Sequence, residues 1–254
     1  MSETRLIQYG GLTGRTSLSP PCAKIHMALA YKGVPYRTLN LFSPAKVKRY
    51  NPRGRVPVLL HDGDTLVDSS DILAELERRF PDPPLFPADP AVAAEAKLIE
   101  DWADEVLYFY LVYLRWVDDE GFRRMKASVL HRLPLPIRWI APGVARKAAS
   151  KRLHFQGTGL KSGEVVRREF GECLDALAGR LDAGAPFLAG EALTHGDLAV
   201  AAVLDQCGLD LLMPETAAEI GKRPALVAWL ARVHALLPNA AQPGDDGNPT
   251  PATG

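Results

Sequence analysis

Residues 81 to 87, Pro-Asp-Pro-Pro-Leu-Phe-Pro, put four prolines into seven positions. Proline fixes φ, lacks an amide to donate and pushes the preceding residue out of the helical region, so neither a helix nor a central strand runs through this stretch. On its N-terminal side the apolar residues come in short strand-length runs; on its C-terminal side nearly every segment has helical spacing. A chain of 254 residues, 47% of them hydrophobic, is long enough to build a core on each side. The expected organisation is a first domain over 1–80, a proline-rich linker over 81–91, an all-helical domain over 92–238, and a tail over 239–254 too rich in Pro, Gly and Asp to order itself.

Within the first domain, Arg5 to Tyr9 reads as a strand, followed by a Gly-, Thr- and Ser-rich loop and a helix from Cys22 to Lys32 that Gly33 stops. A strand from Tyr36 to Leu41 completes a βαβ unit. Val56 to His61 and Thr65 to Val67 flank Asp62-Gly63 and predict a hairpin, and a helix over Asp71 to Phe80 follows, capped by Ser69 or Ser70. The order is βαβ then ββα. Beyond the prolines, Ala91 to Asp118 reads as one long helix striped with Leu98, Trp102, Val106, Tyr110, Tyr113 and Trp116. A second helix spans about Glu164 to Leu181. Thr194 and Asp197 form a capping box for a third, with Leu193 and Leu198 at staple positions.

Thirty basic residues balance thirty acidic ones, which argues against a surface built wholly for nucleic acid. Three cysteines, Cys22, Cys173 and Cys207, match no disulfide framework or zinc spacing. No metal site is expected. The N-terminus lacks a secretory apolar core and no run approaches a membrane span, so a soluble, cytoplasmic protein is expected.

The chemistry concentrates at Ser17-Leu18-Ser19-Pro20-Pro21-Cys22, where hydroxyls and a thiol stand at a helix entry. Taken with Arg55-Val56-Pro57-Val58-Leu59, Asp68-Ser69-Ser70-Asp71-Ile72-Leu73 and Leu193-Thr194-His195-Gly196-Asp197-Leu198-Ala199, the chain resembles the soluble glutathione transferases from Arg5 to Pro238. That resemblance implies a thioredoxin-like α/β domain joined to an all-α domain, a homodimer, and glutathione as co-substrate. It implies that Pro57 is a cis-proline turning the Val56 backbone to the cysteinyl part of glutathione, and that Asp68 and Ser69 receive its γ-glutamyl end, where a helix N-terminus suits a carboxylate. Ser19 falls on the family's active serine.

A free thiol has a pKa near ~8.5 and is mostly protonated at neutral pH, whereas the thiolate is the nucleophile. Ser19 can donate a hydrogen bond to that thiolate, beside the positive end of the helix. The expected reaction is attack on an electrophilic or isomerisable small molecule. Three rivals remain open: Ser17 in the same role, Cys22 as a thiol-disulfide centre, and a scaffold without turnover. Each residue also has a plainer role, Ser19 and Ser69 as caps and Cys22 as packing.

Between Phe122 and Arg168 twelve Lys or Arg residues face one acid, Glu164, and Trp139-Ile140-Ala141-Pro142-Gly143-Val144 interrupts them with apolar and breaker residues. This stretch is similar to the helical region of the prostaglandin E synthase type 2 and metaxin-like branch. An anionic membrane surface or acidic partner is one reading of it, and a solvated helix face whose acids come from elsewhere is the other. Few aromatics interleave the charges, so no nucleic acid is expected.

Overall fold

A computed structural model describes residues 3–9, 17–41, 44–130, 135, 137–237 and 244–245. The chain divides into two units, one of residues 1–86 and 234–254, the other of residues 87–233.

The first unit begins with β1 (Arg5–Gln8), α1 (Pro20–Tyr31), β2 (Arg37–Asn40) and a short α2 (Pro44–Val47). Then come β3 (Val58–His61), β4 (Asp64–Val67) and α3 (Ser69–Arg79). The sheet order is β4-β3-β1-β2, with β1 and β2 parallel and β3 antiparallel to both β1 and β4. A two-residue β5 (Gly244–Asp245) adds to β2; the rest of the expected tail lies outside the described residues. This is the expected βαβ–ββα order. β1 is central, and its Leu6, Ile7 and Gln8 are all buried, as a strand flanked on both edges requires.

Local chemistry accounts for the junctions. The β3–β4 loop is Asp62-Gly63, both at positive φ (51° and 86°), the left-handed pair that matches hairpin twist. α1 ends as predicted at Gly33 (φ 63°). There Val34 N–H donates to Leu29 C=O at 2.9 Å and Gly33 N–H to Ala30 C=O at 3.1 Å, a Schellman closure. Apart from half-buried Pro21 and Tyr31, α1 is buried all round, Lys24 and His26 included. The proline-rich segment is pinned by Lys32, whose ammonium meets Glu77 at 2.7 Å and the carbonyls of Phe80 and Pro83 at 2.6 and 3.0 Å. Glu77 in turn accepts the Leu85 amide at 3.1 Å.

The second unit is helical. α4 (Pro90–Trp102) and α5 (Tyr108–Trp116) are joined by a π-helical turn, Ala103–Leu107, so the single helix predicted here carries a bulge. α6 (Asp119–Ser128), α7 (Ile137–Gln156), a 3-10 turn at Thr158–Leu160, α8 (Gly163–Asp182), α9 (His195–Cys207), α10 (Pro214–Gly221) and α11 (Pro224–Ala235) follow. The capping box of α9 forms as predicted: Asp197 N–H donates to Thr194 Oγ1 at 3.4 Å and Thr194 N–H to Asp197 Oδ2 at 3.0 Å.

One sequence expectation needs correction here. Pro142 does not interrupt the chain but lies inside α7. It costs one amide bond to Arg138 near the helix start, and its ring is buried, which offsets the loss. Of the twelve cations in the basic stretch, six have carboxylate partners within the unit among the described residues. Arg123 pairs with Glu120, Arg124 with Glu120 and Glu215, Arg146 with Asp119, Lys161 with Glu169, Arg167 with Asp118 and Arg168 with Glu172. Most of these acids flank the stretch or come from other helices. Among the described residues, no helix is long and apolar enough to cross a membrane.

Candidate functional site

The sheet register gathers the predicted site residues of the first unit at one edge. Val58 pairs with Ile7 on one side and Val67 on the other. Continuing both pairings beyond Val58 therefore brings Pro57 and Val56 alongside the end of β1 and the start of α3, where Asp68 and Ser69 sit. The chain leaving β1 returns to the same edge at the start of α1. Tyr9, just past β1, confirms the closeness: its hydroxyl donates to Gly54 C=O at 3.2 Å, and its own carbonyl accepts from the Ser17 hydroxyl at 3.2 Å.

The Val56–Pro57 peptide is cis. Val56 precedes β3, and neither its amide nor its carbonyl has a hydrogen-bond partner among the described residues. A strand-like edge at this point is open to an extended peptide, which gains main-chain pairing there. The turn that delivers it is built by Asn51, whose side-chain amide donates to Arg55 C=O at 2.8 Å while its carbonyl oxygen accepts the Arg53 amide at 3.0 Å. Sequence reasoning passed over Asn51 and Tyr9. For Asn51 the signal was present in Asn51-Pro52-Arg53-Gly54, a turn-forming run; for Tyr9 nothing local marked its role.

Asp68 caps α3, accepting the Ser70 amide at 3.0 Å, with its backbone at φ 76°, ψ 134°. Non-glycine residues rarely hold a positive φ, and those that do cluster where function demands a shape. Ser69, the first residue of α3, is buried, and its hydroxyl has no hydrogen-bond partner among the described residues. A donor hydroxyl at a helix N-terminus, beside the positive end of the helix dipole, suits a carboxylate.

At the α1 entry the structure separates the three candidates. Ser17 is buried, donates to Tyr9 C=O and accepts the Ser19 amide at 3.2 Å; its hydroxyl holds the loop. Cys22 is fully buried, and burial pushes its thiol up to about 12, despite help from the Ser17 and Ser19 hydroxyls and the Tyr9 main chain. Such a thiol yields almost no thiolate near neutrality. Ser19 is half-buried and is the N-cap residue of α1, yet its side chain makes no capping bond. Pro20 and Pro21 at the first two helical positions offer no amides for it to cap. Its hydroxyl lies against the Cys22 thiol, whose pKa it lowers.

The aromatics of the predicted long helix divide between core and surface. Tyr110 and Tyr113 are core, their hydroxyls donating to Glu169 at 2.9 Å and Lys161 C=O at 3.2 Å. Tyr108 and Trp116 are half-buried, and Tyr108 carries the Arg152 guanidinium over its ring at 5.2 Å.

A glutathione S-transferase N-terminal domain model matches residues 18–79, and a glutathione S-transferase C-terminal domain model matches residues 144–232; together they cover more than half of the chain. Over 81 residues the chain is 38% identical to a probable maleylacetoacetate isomerase of Caenorhabditis elegans, a match spanning 30% of this chain and 38% of that protein. It is 25% identical over 225 residues to an isoprene-epoxide glutathione S-transferase of Rhodococcus sp., covering 87% of this chain and 93% of that one. A crystal structure of a glutathione S-transferase from Methylobacterium radiotolerans, in complex with glutathione sulfonate, superposes with TM-score 0.63 at 24% identity over 99% of each chain. With both units matched by the paired domain models and the fold shared along its length, the chain belongs to the glutathione S-transferase superfamily.

Proposed function

We propose that this protein is a glutathione-dependent transferase in which glutathione lies along the edge formed by Val56 and Pro57. Its cysteinyl main chain pairs with Val56, and its γ-glutamyl carboxylate takes the Ser69 hydroxyl and the α3 N-terminus, with Asp68 shaping that terminus. Its thiol rests against Ser19. The observation that carries this reading is the convergence, at one sheet edge, of an unpaired Val56 main chain, an unpartnered Ser69 hydroxyl and a Ser19 hydroxyl unused as a cap.

Ser19 donates a hydrogen bond to the glutathione thiolate and the α1 dipole adds to it, so the bound thiol loses its proton at lower pH than free glutathione. The thiolate, oriented by the main-chain and carboxylate contacts, forms a C–S bond at an electrophilic carbon of a small molecule as a bond from that carbon breaks. With an epoxide the ring C–O bond opens and its oxygen takes a proton from water. The buried, neutral Cys22 disfavours the thiol-disulfide alternative. Two copies are proposed to form a homodimer, which the mass in solution tests.

Calorimetric titration with glutathione comes first, followed by turnover on an epoxide, the electrophile named for the relative that aligns along most of this chain. Ser19→Ala is expected to lower kcat by about 10²-fold, the usual loss of one preorganised donor, with glutathione affinity changed by less than about threefold. The ultraviolet absorbance of bound thiolate should appear at higher pH in that variant. Unchanged kcat and an unchanged thiolate profile in Ser19→Ala would remove Ser19 from the mechanism, and absence of glutathione binding would remove the reading.

A further inference from the structure

α7 has two opposed faces. Pro142 and Leu153 are buried, and Arg146 and Arg152 lean to the same unit, one to Asp119 and the Val117 carbonyl, the other to Tyr108. At 100° per residue, Ile140, Val144, Lys147, Lys151 and Phe155 fall on the opposite side within an arc of about 80°. All five are exposed, Phe155 at 77% and Ile140 at 66%. Neither Lys147 nor Lys151 has a carboxylate partner among the described residues, although Lys151 stands over the Phe155 ring at 5.9 Å. All 20 residues of α7 lack Asp and Glu.

We propose that this face of α7 docks the protein on an anionic lipid bilayer surface, with the helix lying in the interfacial plane. Ile140 and Phe155, about 22 Å apart along the axis, sink among the headgroups at the two ends, with Val144 between them. Lys147 and Lys151 reach to anionic headgroups, their stems lying on the apolar surface. Charge complementarity selects this occupant. A second copy would set two cationic faces without carboxylates against each other. A soluble polyanion would use the lysines but gain nothing from exposed Ile140, Val144 and Phe155. The arginines that the fold neutralises take no part; the face is made by the cations left over.

The test is co-sedimentation of the full chain with vesicles of phosphatidylcholine plus phosphatidylserine, against phosphatidylcholine alone, at low and physiological salt, without glutathione, so its outcome is separate from that of the proposed activity. Binding is expected only to the anionic vesicles, weakening with salt. Lys147→Gln with Lys151→Gln should weaken it about thirtyfold, each lysine near an anionic surface being worth about 1 kcal/mol. Ile140→Ser with Phe155→Ser should weaken it at least as much. All four positions are exposed, and circular dichroism checks that the variants fold. Lack of sedimentation overturns the proposal. So does sedimentation indifferent to Ile140 and Phe155, which assigns the face to a soluble polyanion. A concentration-dependent mass abolished by Phe155→Ser overturns it too, in favour of a second copy.

Discussion

Three side chains within six residues, Ser17, Ser19 and Cys22, have the chemistry to serve a thiol, and burial distinguishes them: Ser17 and Cys22 are buried, Ser19 half-buried. The two buried ones are committed to the fold, one as a loop bond and one as packing whose thiol stays protonated. Burial acts in the same way on His26, whose Nδ1 lies 2.6 Å from the Tyr36 hydroxyl and whose Nε2 lies 2.8 Å from Gln8 Oε1. Gln8 Oε1 only accepts, so Nε2 carries the proton and Nδ1 accepts from Tyr36. Desolvation lowers the imidazole from 6.5 to about 4. Since the unfolded chain binds a proton at His26 below pH 6.5 and the folded chain does not until about pH 4, stability falls as pH falls through that window. The loss should approach about 3 kcal/mol by pH 4. Urea midpoints measured from pH 7 to pH 4 should show it, and His26→Gln should flatten that slope; an equal slope in the variant would place the titration elsewhere.

At the scale of elements, α9 is held by one carboxylate. Asp197 accepts from the Leu188 amide at 2.8 Å, the Thr194 amide and hydroxyl at 3.0 and 2.8 Å, and Trp229 Nε1 at 3.0 Å. Next to it, a Cβ on Gly196 would stand 2.7 Å from Ala96 C=O, so α9 and α4 approach as closely as they do only through glycine. Asp197→Ala strands four buried donors and should cost about 3 kcal/mol, against about 1 kcal/mol for Thr194→Ala. Denaturant unfolding followed through Trp229 would read both. A loss for Asp197→Ala no larger than that for Thr194→Ala would reduce the network to an ordinary cap. This element was legible in Leu193-Thr194-His195-Gly196-Asp197-Leu198 because a capping box uses residues three apart. The π turn at Ala103–Leu107 and the continuity of α7 through Pro142 were not, because each depends on what neighbouring helices bury rather than on local preference.

For the molecule as a whole, thirty positive and thirty negative side chains and a pI near 7.0 leave little net repulsion at neutral pH. Solubility should pass through a minimum near pH 7 and rise on either side, measurable by polyethylene glycol precipitation across pH. A monotonic profile would show that the local cationic face of α7, rather than net charge, governs association.

What the sequence determined by itself is what short-range chemistry encodes: the proline break between mixed and helical patterns, the Asp62-Gly63 hairpin, the Gly33 stop, the α9 cap, and the motifs whose order matched the superfamily. Each rests on residues within a few positions of one another. Only the tertiary structure decided that Ser17 and Cys22 are buried while Ser19 is half-buried, that Val56 is left without a main-chain partner among the described residues, and which cations of the basic stretch are paired. Those outcomes depend on burial and on partners distant in sequence, such as Tyr9 for Ser17 and Glu215 for Arg124, and neither burial nor pairing exists until the chain has folded.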